Sequence, residues 1–123
     1  MPLTVTARTE GNLAIVELQG SLTLGPSLSA LRSKVREVLA ADNIKGLILK
    51  VGLVSIVDSA GIGELTAAYA LAARRGCPLR LVEVPAVLRH LLELTRLETL
   101  LPSVPDLAAA KKQLNGLSAR NSG

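Results

Sequence analysis

Alternating hydrophobic and polar residues open the chain and indicate strand structure. Over residues 3–8, leucine, valine and alanine alternate with threonine and arginine, which predicts a β-strand with one covered face. Residues 10–12, Glu-Gly-Asn, are typical of a turn, and residues 13–18 form a second strand pattern. Because the link is so short, the two strands predict an antiparallel hairpin.

Helical spacing of hydrophobic residues then alternates with short strand patterns. The predicted elements are a helix over 27–41, a strand over 44–51, a helix from Ser59 to about Arg75, a strand over 79–84, a helix after Pro85 and a helix from Pro105 to about Leu114. Gly76 is placed to end the second helix. Residues 97–104 remain ambiguous, because Pro102 argues against a central strand there.

This order of elements predicts an α/β fold built on a single sheet. Strand–helix–strand units with short links favour parallel neighbours, so we expect a mixed, mostly parallel sheet of four to five strands. The N-terminal hairpin strand is antiparallel, and about four helices pack on the sheet. A length of 123 residues fits one domain, which we place at residues 1–114, followed by a flexible polar tail over 115–123.

Composition and charge narrow the possible function classes. The net charge is +4, yet before residue 111 the chain carries 11 Lys and Arg against 10 Asp and Glu. With one Tyr and no Phe or Trp, it offers no stacking platform for bases, which argues against direct nucleic-acid binding. No apolar run approaches the roughly 20 residues of a membrane span, and no signal peptide is visible. We therefore expect a cytoplasmic protein without a membrane span.

Few residues are available for metal binding or catalysis. The chain has one histidine, His90, and one cysteine, Cys77, too few soft ligands for a zinc site of the usual kind. We interpret His90 as a surface residue of a helix and Cys77 as a buried structural cysteine. We expect no catalytic residue, no metal and no bound cofactor.

The segment 57–63, Val-Asp-Ser-Ala-Gly-Ile-Gly, is the local cluster with the clearest functional potential. It joins a strand pattern to a helix, and Ser59 is predicted at the N-cap. A serine there has two interpretations. It can be a structural cap of the free N–H groups, or a phosphoacceptor whose added charge the helix N-terminus helps to stabilise.

The same region resembles the signature of STAS domains, in particular of bacterial anti-sigma factor antagonists. Residues 47–63 carry the resemblance, ending in Asp58-Ser59-Ala60-Gly61. The strand at residues 13–22 resembles the family's strand followed by Gly-x-Leu, and residues 79–97 resemble its later strand and Pro-initiated helix. The resemblance covers about residues 3–114.

The resemblance implies a non-enzymatic, partner-switching phosphoprotein that regulates transcription. Its partners would be an anti-sigma factor that is a serine kinase, which phosphorylates Ser59, and a serine phosphatase that reverses the modification. We expect a monomer or weak dimer. The implied partner-binding residues are Asp58, Ala60, Gly61, Ile62, Gly63, Leu22, Thr23 and Leu24.

Departures from the family pattern keep a second interpretation open. Thr23 stands where the loop often carries Asp, Lys50 where the central strand usually has Asp or Asn, and Arg96 where Gly is common. The alternative is a constitutive STAS adaptor in a lipid-transport or stress-signalling complex without serine phosphorylation. A phospho-aspartate receiver and a small phosphate-binding enzyme are disfavoured, because the paired acids and the nucleophile–base pair they need are missing.

Overall fold

The computed structural model describes residues 2–122 and has the α/β architecture expected from the sequence. In chain order the elements are β1 (Thr4–Glu10), β2 (Leu13–Leu22), α1 (Ser29–Leu39), β3 (Gly46–Val57), α2 (Ser59–Arg74), β4 (Leu79–Val82), α3 (Ala86–Leu94), β5 (Ser103–Val104) and α4 (Leu107–Ser122). Within these residues, no helix is long and apolar enough to cross a membrane.

The strands form one five-stranded sheet in the order β1-β2-β3-β4-β5, counted over the described part of the chain. β1 pairs with β2 in antiparallel register, from Thr4 opposite Gln19 to Glu10 opposite Leu13. Gly11 lies in the connecting turn with φ of +58°, a left-handed conformation that glycine adopts without steric cost. All other neighbouring strands are parallel, so the mixed sheet and its N-terminal hairpin are confirmed.

Helices cover both faces of the sheet, but unequally. Residues 14, 16 and 18 of β2 point towards α1, α2 and α3, and form the larger hydrophobic core with them. Leu13 and Ile15 point to the opposite face, where α4 contributes Ala110 and Leu114 to a smaller core. β3 is buried on both sides over residues 47–49, as its unbroken apolar run predicted.

β3 is longer and less regular than the sequence indicated. Its pairing with β2 shifts register twice, between Glu17 and Gln19 and between Gly20 and Ser21, and each shift places an extra residue on β3. An extra residue reverses the alternation of side chains between the two faces. As a result Val51, Val54 and Val57 are all buried at a spacing of three.

At the C-terminal end, the structure decides one assignment that the sequence left open and shows that one prediction was wrong. Residues 97–104 contain the short strand β5, which sits at the edge of the sheet, where the missing N–H of Pro102 is tolerated. The last helix does not end near Leu114, because α4 continues to Ser122. Apolar contacts of Leu117 with the smaller core extend that helix into the segment expected to be a tail. Gly123 lies outside the described residues.

Candidate functional site

The N-cap of α2 is Asp58, not Ser59 as expected from the sequence. Asp58 has extended backbone angles, and its carboxylate accepts a hydrogen bond from the Gly61 N–H at 2.9 Å. Ser59 is therefore the first helical residue. The shift by one position frees the Ser59 hydroxyl from the capping role, which the aspartate performs.

Asp58 also binds the loop that follows β2. Its second carboxylate oxygen accepts a hydrogen bond from the Leu24 N–H at 3.0 Å. The backbone N–H of Asp58 in turn donates to the Leu22 carbonyl. The hydrogen bonds from Leu24 and then Gly61 lower the pKa of Asp58, so the carboxylate stays ionised at neutral pH.

Ser59 is exposed at the start of a 16-residue helix. The free N–H groups and the dipole of a helix start favour negative charge, and the first turn of α2 contains no acidic residue. The hydroxyl is thus accessible at a place where added negative charge can be accommodated.

The two glycines that follow Ser59 have different roles. A Cβ atom at Gly61 would lie 1.9 Å from the Leu22 carbonyl oxygen, so only glycine lets α2 approach β2 this closely. A Cβ atom at Gly63 would meet nothing within 4 Å. Gly61 is therefore needed for the fold, whereas Gly63 leaves an open, flat place on the exposed surface of α2.

The expected partner-binding residues do not all reach the surface. Leu22, Gly61 and Ile62 are buried, because they form the contact between the end of β2 and the start of α2. This corrects the expectation that they form part of a contact rim. The residues of the set that are exposed or half-buried are Asp58, Ala60, Gly63, Thr23 and Leu24.

Two exposed hydrophobic residues on the strand that leads to Ser59 were missed by the sequence analysis. Leu53 and Ile56 on β3 are 52% and 57% exposed, and Leu24 in the neighbouring loop is 80% exposed. The predicted strand ended at residue 51, so these two side chains were given no position in the fold. The register shifts of β3 turn these two outward, and nothing in the local sequence signals them. We call Leu24, Leu53, Ile56, Ser59 and Gly63 the switch surface.

The Lys50 departure does not affect the surroundings of Ser59. The ammonium group of Lys50 lies 3.3 Å from a Glu17 carboxylate oxygen and 3.9 Å from one of Glu83. Lys50 is seven residues before Val57 on β3, which corresponds to about 23 Å along the strand. It therefore belongs to an ion-pair cluster in mid-sheet and not to the acceptor site.

An ion pair between two helices holds the first turns of α2 in place. The Arg32 guanidinium on α1 donates to a Glu64 carboxylate oxygen on α2 at 2.6 Å. The Glu64 side chain is only 15% exposed, so water screens the pair little from that side. Arg32 and Glu64 thus position the turn that follows Ser59.

The remaining candidate residues lie where the sequence indicated. His90 is exposed on α3, and Cys77 is buried with its sulfur 3.4 Å from the Ile44 carbonyl oxygen. Burial raises the pKa of the Cys77 thiol. No cluster of three or more His, Cys, Asp or Glu that could hold a metal ion occurs among residues 2–122.

Comparison with known proteins adds two kinds of evidence. The family model described as "Mlab, STAS domain" matches residues 5–102. Among solved structures, an anti-sigma factor antagonist from Mycobacterium paratuberculosis is 21% identical with a TM-score of 0.77, covering 92% of this chain and 94% of that one. No curated protein matches at a significant level.

Two further solved structures share the fold. A putative anti-sigma factor antagonist from Thermotoga maritima is 15% identical with a TM-score of 0.75, covering 90% of this chain and 94% of that one. The murine anion transporter Slc26a9 is 17% identical with a TM-score of 0.77. Its match covers 89% of this chain but only 18% of the transporter.

Proposed function

Because this chain belongs to the STAS domain family, we propose that it is an anti-sigma factor antagonist whose binding is switched by phosphorylation of Ser59. The unmodified protein binds a serine-kinase anti-sigma factor, and the phosphorylated protein releases it. A serine phosphatase reverses the modification. The protein itself catalyses no reaction and acts on transcription without contacting DNA.

The observation that carries this proposal is the position of Ser59. It is exposed, it is the first residue of α2, and the neighbouring Asp58 performs the capping that would otherwise occupy a serine hydroxyl. A kinase must take the hydroxyl into its own active site. An exposed serine outside the capping position can enter such a site without unfolding the helix start.

The switch surface offers the neutral, partly apolar contact area that a protein partner requires. Leu24 and Ile56 present exposed side chains in the loop and the strand that adjoin the start of α2, and Gly63 keeps the helix surface flat. Exposed apolar residues that cluster in this way mark interaction sites. The partner would bury them while approaching the Ser59 hydroxyl closely.

Phosphorylation would reverse the character of this surface. A phosphoserine adds about −1.5 to −2 charges at neutral pH. Here the new charge would lie beside the ionised Asp58 carboxylate, whose oxygens already accept hydrogen bonds from Leu24 and Gly61. Burying such a concentration of negative charge under a partner is costly unless the partner supplies matching cations. Release of the anti-sigma factor follows.

Binding and phosphorylation can be tested with a serine-kinase anti-sigma factor encoded beside this chain's gene. We expect Ser59→Ala to bind with unchanged affinity and Ser59→Asp to bind at least about tenfold more weakly by calorimetry. In the presence of ATP, mass spectrometry should find one phosphate on Ser59 of the unaltered chain.

The matched control is Ser33→Asp, which places the same charge at another exposed serine, in the middle of α1. It should bind like the unaltered chain. Equal affinity of Ser59→Ala and Ser59→Asp, or a phosphate found elsewhere on the chain, would contradict the proposal.

A second candidate function is an adaptor domain of a transport complex. It is favoured by the structural similarity to a segment of the anion transporter Slc26a9. In that case the switch surface would contact a transporter subunit constitutively. Co-purification of such a subunit with equal yield for Ser59→Ala and Ser59→Asp, together with no phosphate on Ser59 in growing or stressed cells, would favour the adaptor.

A further inference from the structure

A second surface feature lies at the other end of α2. The C-terminal ends of α1 and α2 enclose a groove of about 280 Å³. Its floor is apolar, with Leu39 buried, Leu71 half-buried and Ala40 exposed. The residues that line the groove are Arg36, Leu39, Ala40, Leu71, Arg74 and Arg75.

The three arginines around this floor have no acidic partner. Among the described residues, neither Arg36, Arg74 nor Arg75 forms an ion pair within 4 Å. Glu37, the nearest acid along α1, pairs with Lys34 at 3.1 Å. The groove therefore collects three exposed positive charges that the fold leaves without an internal partner.

Helix dipoles explain only part of this arrangement. Arg36 and Arg74 lie in the last turns of α1 and α2, where a cation interacts favourably with the free carbonyl groups. That effect accounts for a cation on each helix. Arg75, the C-cap residue of α2, lies at the same helix end as Arg74. The dipole effect does not account for the apolar groove between the two helix ends.

We propose that this groove, which we call the arginine groove, docks an acidic amphipathic segment of a partner protein. One or two apolar side chains of the segment would fill the space over Leu39 and Leu71. Flanking carboxylates would pair with the guanidinium groups, whose planar N–H groups match a carboxylate in a two-bond geometry.

Other ligand classes fit the groove less well. Its volume is below the 300–1,000 Å³ typical of small-molecule sites. A membrane-binding patch usually carries about four to eight basic residues, and the residues lining this groove include three. None of the large exposed hydrophobic residues that could insert into a bilayer lies here. Single-stranded nucleic acid needs aromatic stacking partners, which the groove lacks.

The arginine groove is independent of the switch surface. α2 has 16 residues, so its ends are about 24 Å apart. Ser59 lies at one end and Arg74 at the other. A segment docked in the groove would leave the serine accessible, so binding there does not depend on the state of Ser59 or on the function proposed for it.

The test uses the full chain labelled with ¹⁵N and a 14-residue peptide, acetylated and amidated, with leucines at helical spacing and glutamates between them. We expect saturable shift changes at the amides of Leu39, Leu71 and Arg74. Arg74→Gln combined with Arg75→Gln should weaken binding at least about fivefold. Arg36→Gln, on the other helix, should weaken it in the same direction.

Matched control variants and a control peptide test whether binding depends on the charge of the peptide and on the position of the arginines. Arg89→Gln removes an exposed arginine of α3 and should change the affinity less than about twofold. A peptide with lysine in place of glutamate should not bind, and Ser59→Asp should bind the acidic peptide like the unaltered chain. Circular dichroism checks that each variant is folded.

Several outcomes would overturn the proposal. They are the absence of saturable shifts up to about 1 mM peptide, equal binding of the lysine peptide, and shifts centred on Ser59 instead of Arg74. Sedimentation with anionic phosphatidylglycerol vesicles that requires Arg74 and Arg75 would instead assign the groove to a membrane. Self-association of the chain that the same variants abolish would assign it to a second copy.

Discussion

The Asp58 carboxylate accepts a hydrogen bond from the Leu24 N–H at 3.0 Å, across 34 residues of sequence. With its other oxygen it caps α2 through Gly61. One side chain thus connects the loop after β2 to the helix that begins with Ser59. This bond ties the backbone of the exposed Leu24 to the residue before Ser59, which makes Asp58 the positioning group of the switch surface.

Replacing Asp58 should separate these two tasks. Asp58→Asn keeps one oxygen for the Gly61 cap but loses the second acceptor for Leu24, while Asp58→Ala loses both. We expect amide hydrogen exchange at Leu24 to become at least about tenfold faster in both variants. The urea midpoint should fall more for alanine than for asparagine. Unchanged exchange at Leu24 in both variants would contradict this role.

The lowered pKa of Asp58 predicts how stability depends on pH. The hydrogen bonds from Leu24 and Gly61 favour the ionised carboxylate in the folded state. Its stabilising contribution should therefore be fully present above the unfolded value of about 3.9 and be lost as the pH falls through the folded pKa. The difference in unfolding free energy between the unaltered chain and Asp58→Asn should shrink from pH 6 to pH 2 and stay constant above pH 6. If this difference in unfolding free energy grew as the pH falls, it would contradict a stabilising role of the ionised Asp58 carboxylate.

Gly61 and Gly63 form a matched pair for separating fold from recognition. Gly61→Ala forces a Cβ atom against the Leu22 carbonyl, so we expect a loss of about 2–3 kcal/mol in unfolding free energy. Gly63→Ala meets open space in a helix interior and should stabilise the protein by about 0.5–1 kcal/mol. Denaturation curves measure both.

Binding measurements then show whether the partner packs against α2 at Gly63. If the anti-sigma factor packs against the flat surface there, Gly63→Ala should bind more weakly although it is more stable. Unchanged affinity would place the contact on the other residues of the switch surface.

Gly76 and Arg96 occupy equivalent positions after α2 and α3. Their φ angles are +68° and +58°, and in both cases the next residue donates a hydrogen bond to a carbonyl five residues back. The left-handed conformation is unstrained for glycine and costs a residue with a side chain about 1 kcal/mol or more. Arg96 stands where glycine is common in the family, and its backbone conformation is therefore locally strained.

Replacing Arg96 with glycine and replacing Gly76 with alanine should change the stability of the protein in opposite directions. Arg96→Gly should stabilise the protein by about 0.5 kcal/mol, because relief of strain exceeds the extra flexibility of glycine in the unfolded chain. Gly76→Ala should destabilise it by about 1 kcal/mol, since no neighbouring atom lies within 4 Å to add a clash. Thermal denaturation compares the two variants, and a destabilised Arg96→Gly would show that its side chain has a role.

Local sequence patterns were sufficient for most elements of the fold. The hairpin depends on a turn of a few residues around Gly11, and the end of α2 on Gly76, so each is encoded within a short segment. The α/β order then restricts the sheet, because parallel neighbours joined by helices follow one handedness. The Asp-Ser-Ala-Gly segment likewise marked the start of α2 correctly to within one residue.

Only the tertiary structure decided which residues of the site face outward. Register shifts against β2 turn Leu53 and Ile56 to the surface, and the close contact with β2 buries Leu22 and Ile62. Asp58 is the N-cap instead of Ser59, because its carboxylate accepts hydrogen bonds both from the Leu24 N–H of the loop and from the Gly61 N–H of α2. By itself, the sequence determined most of the elements, their order and the segment that carries Ser59, since these follow from local periodicity and turn chemistry. Exposure, the pairing of Lys50 and the arginine groove depend on contacts between residues distant in the chain, which no local pattern contains.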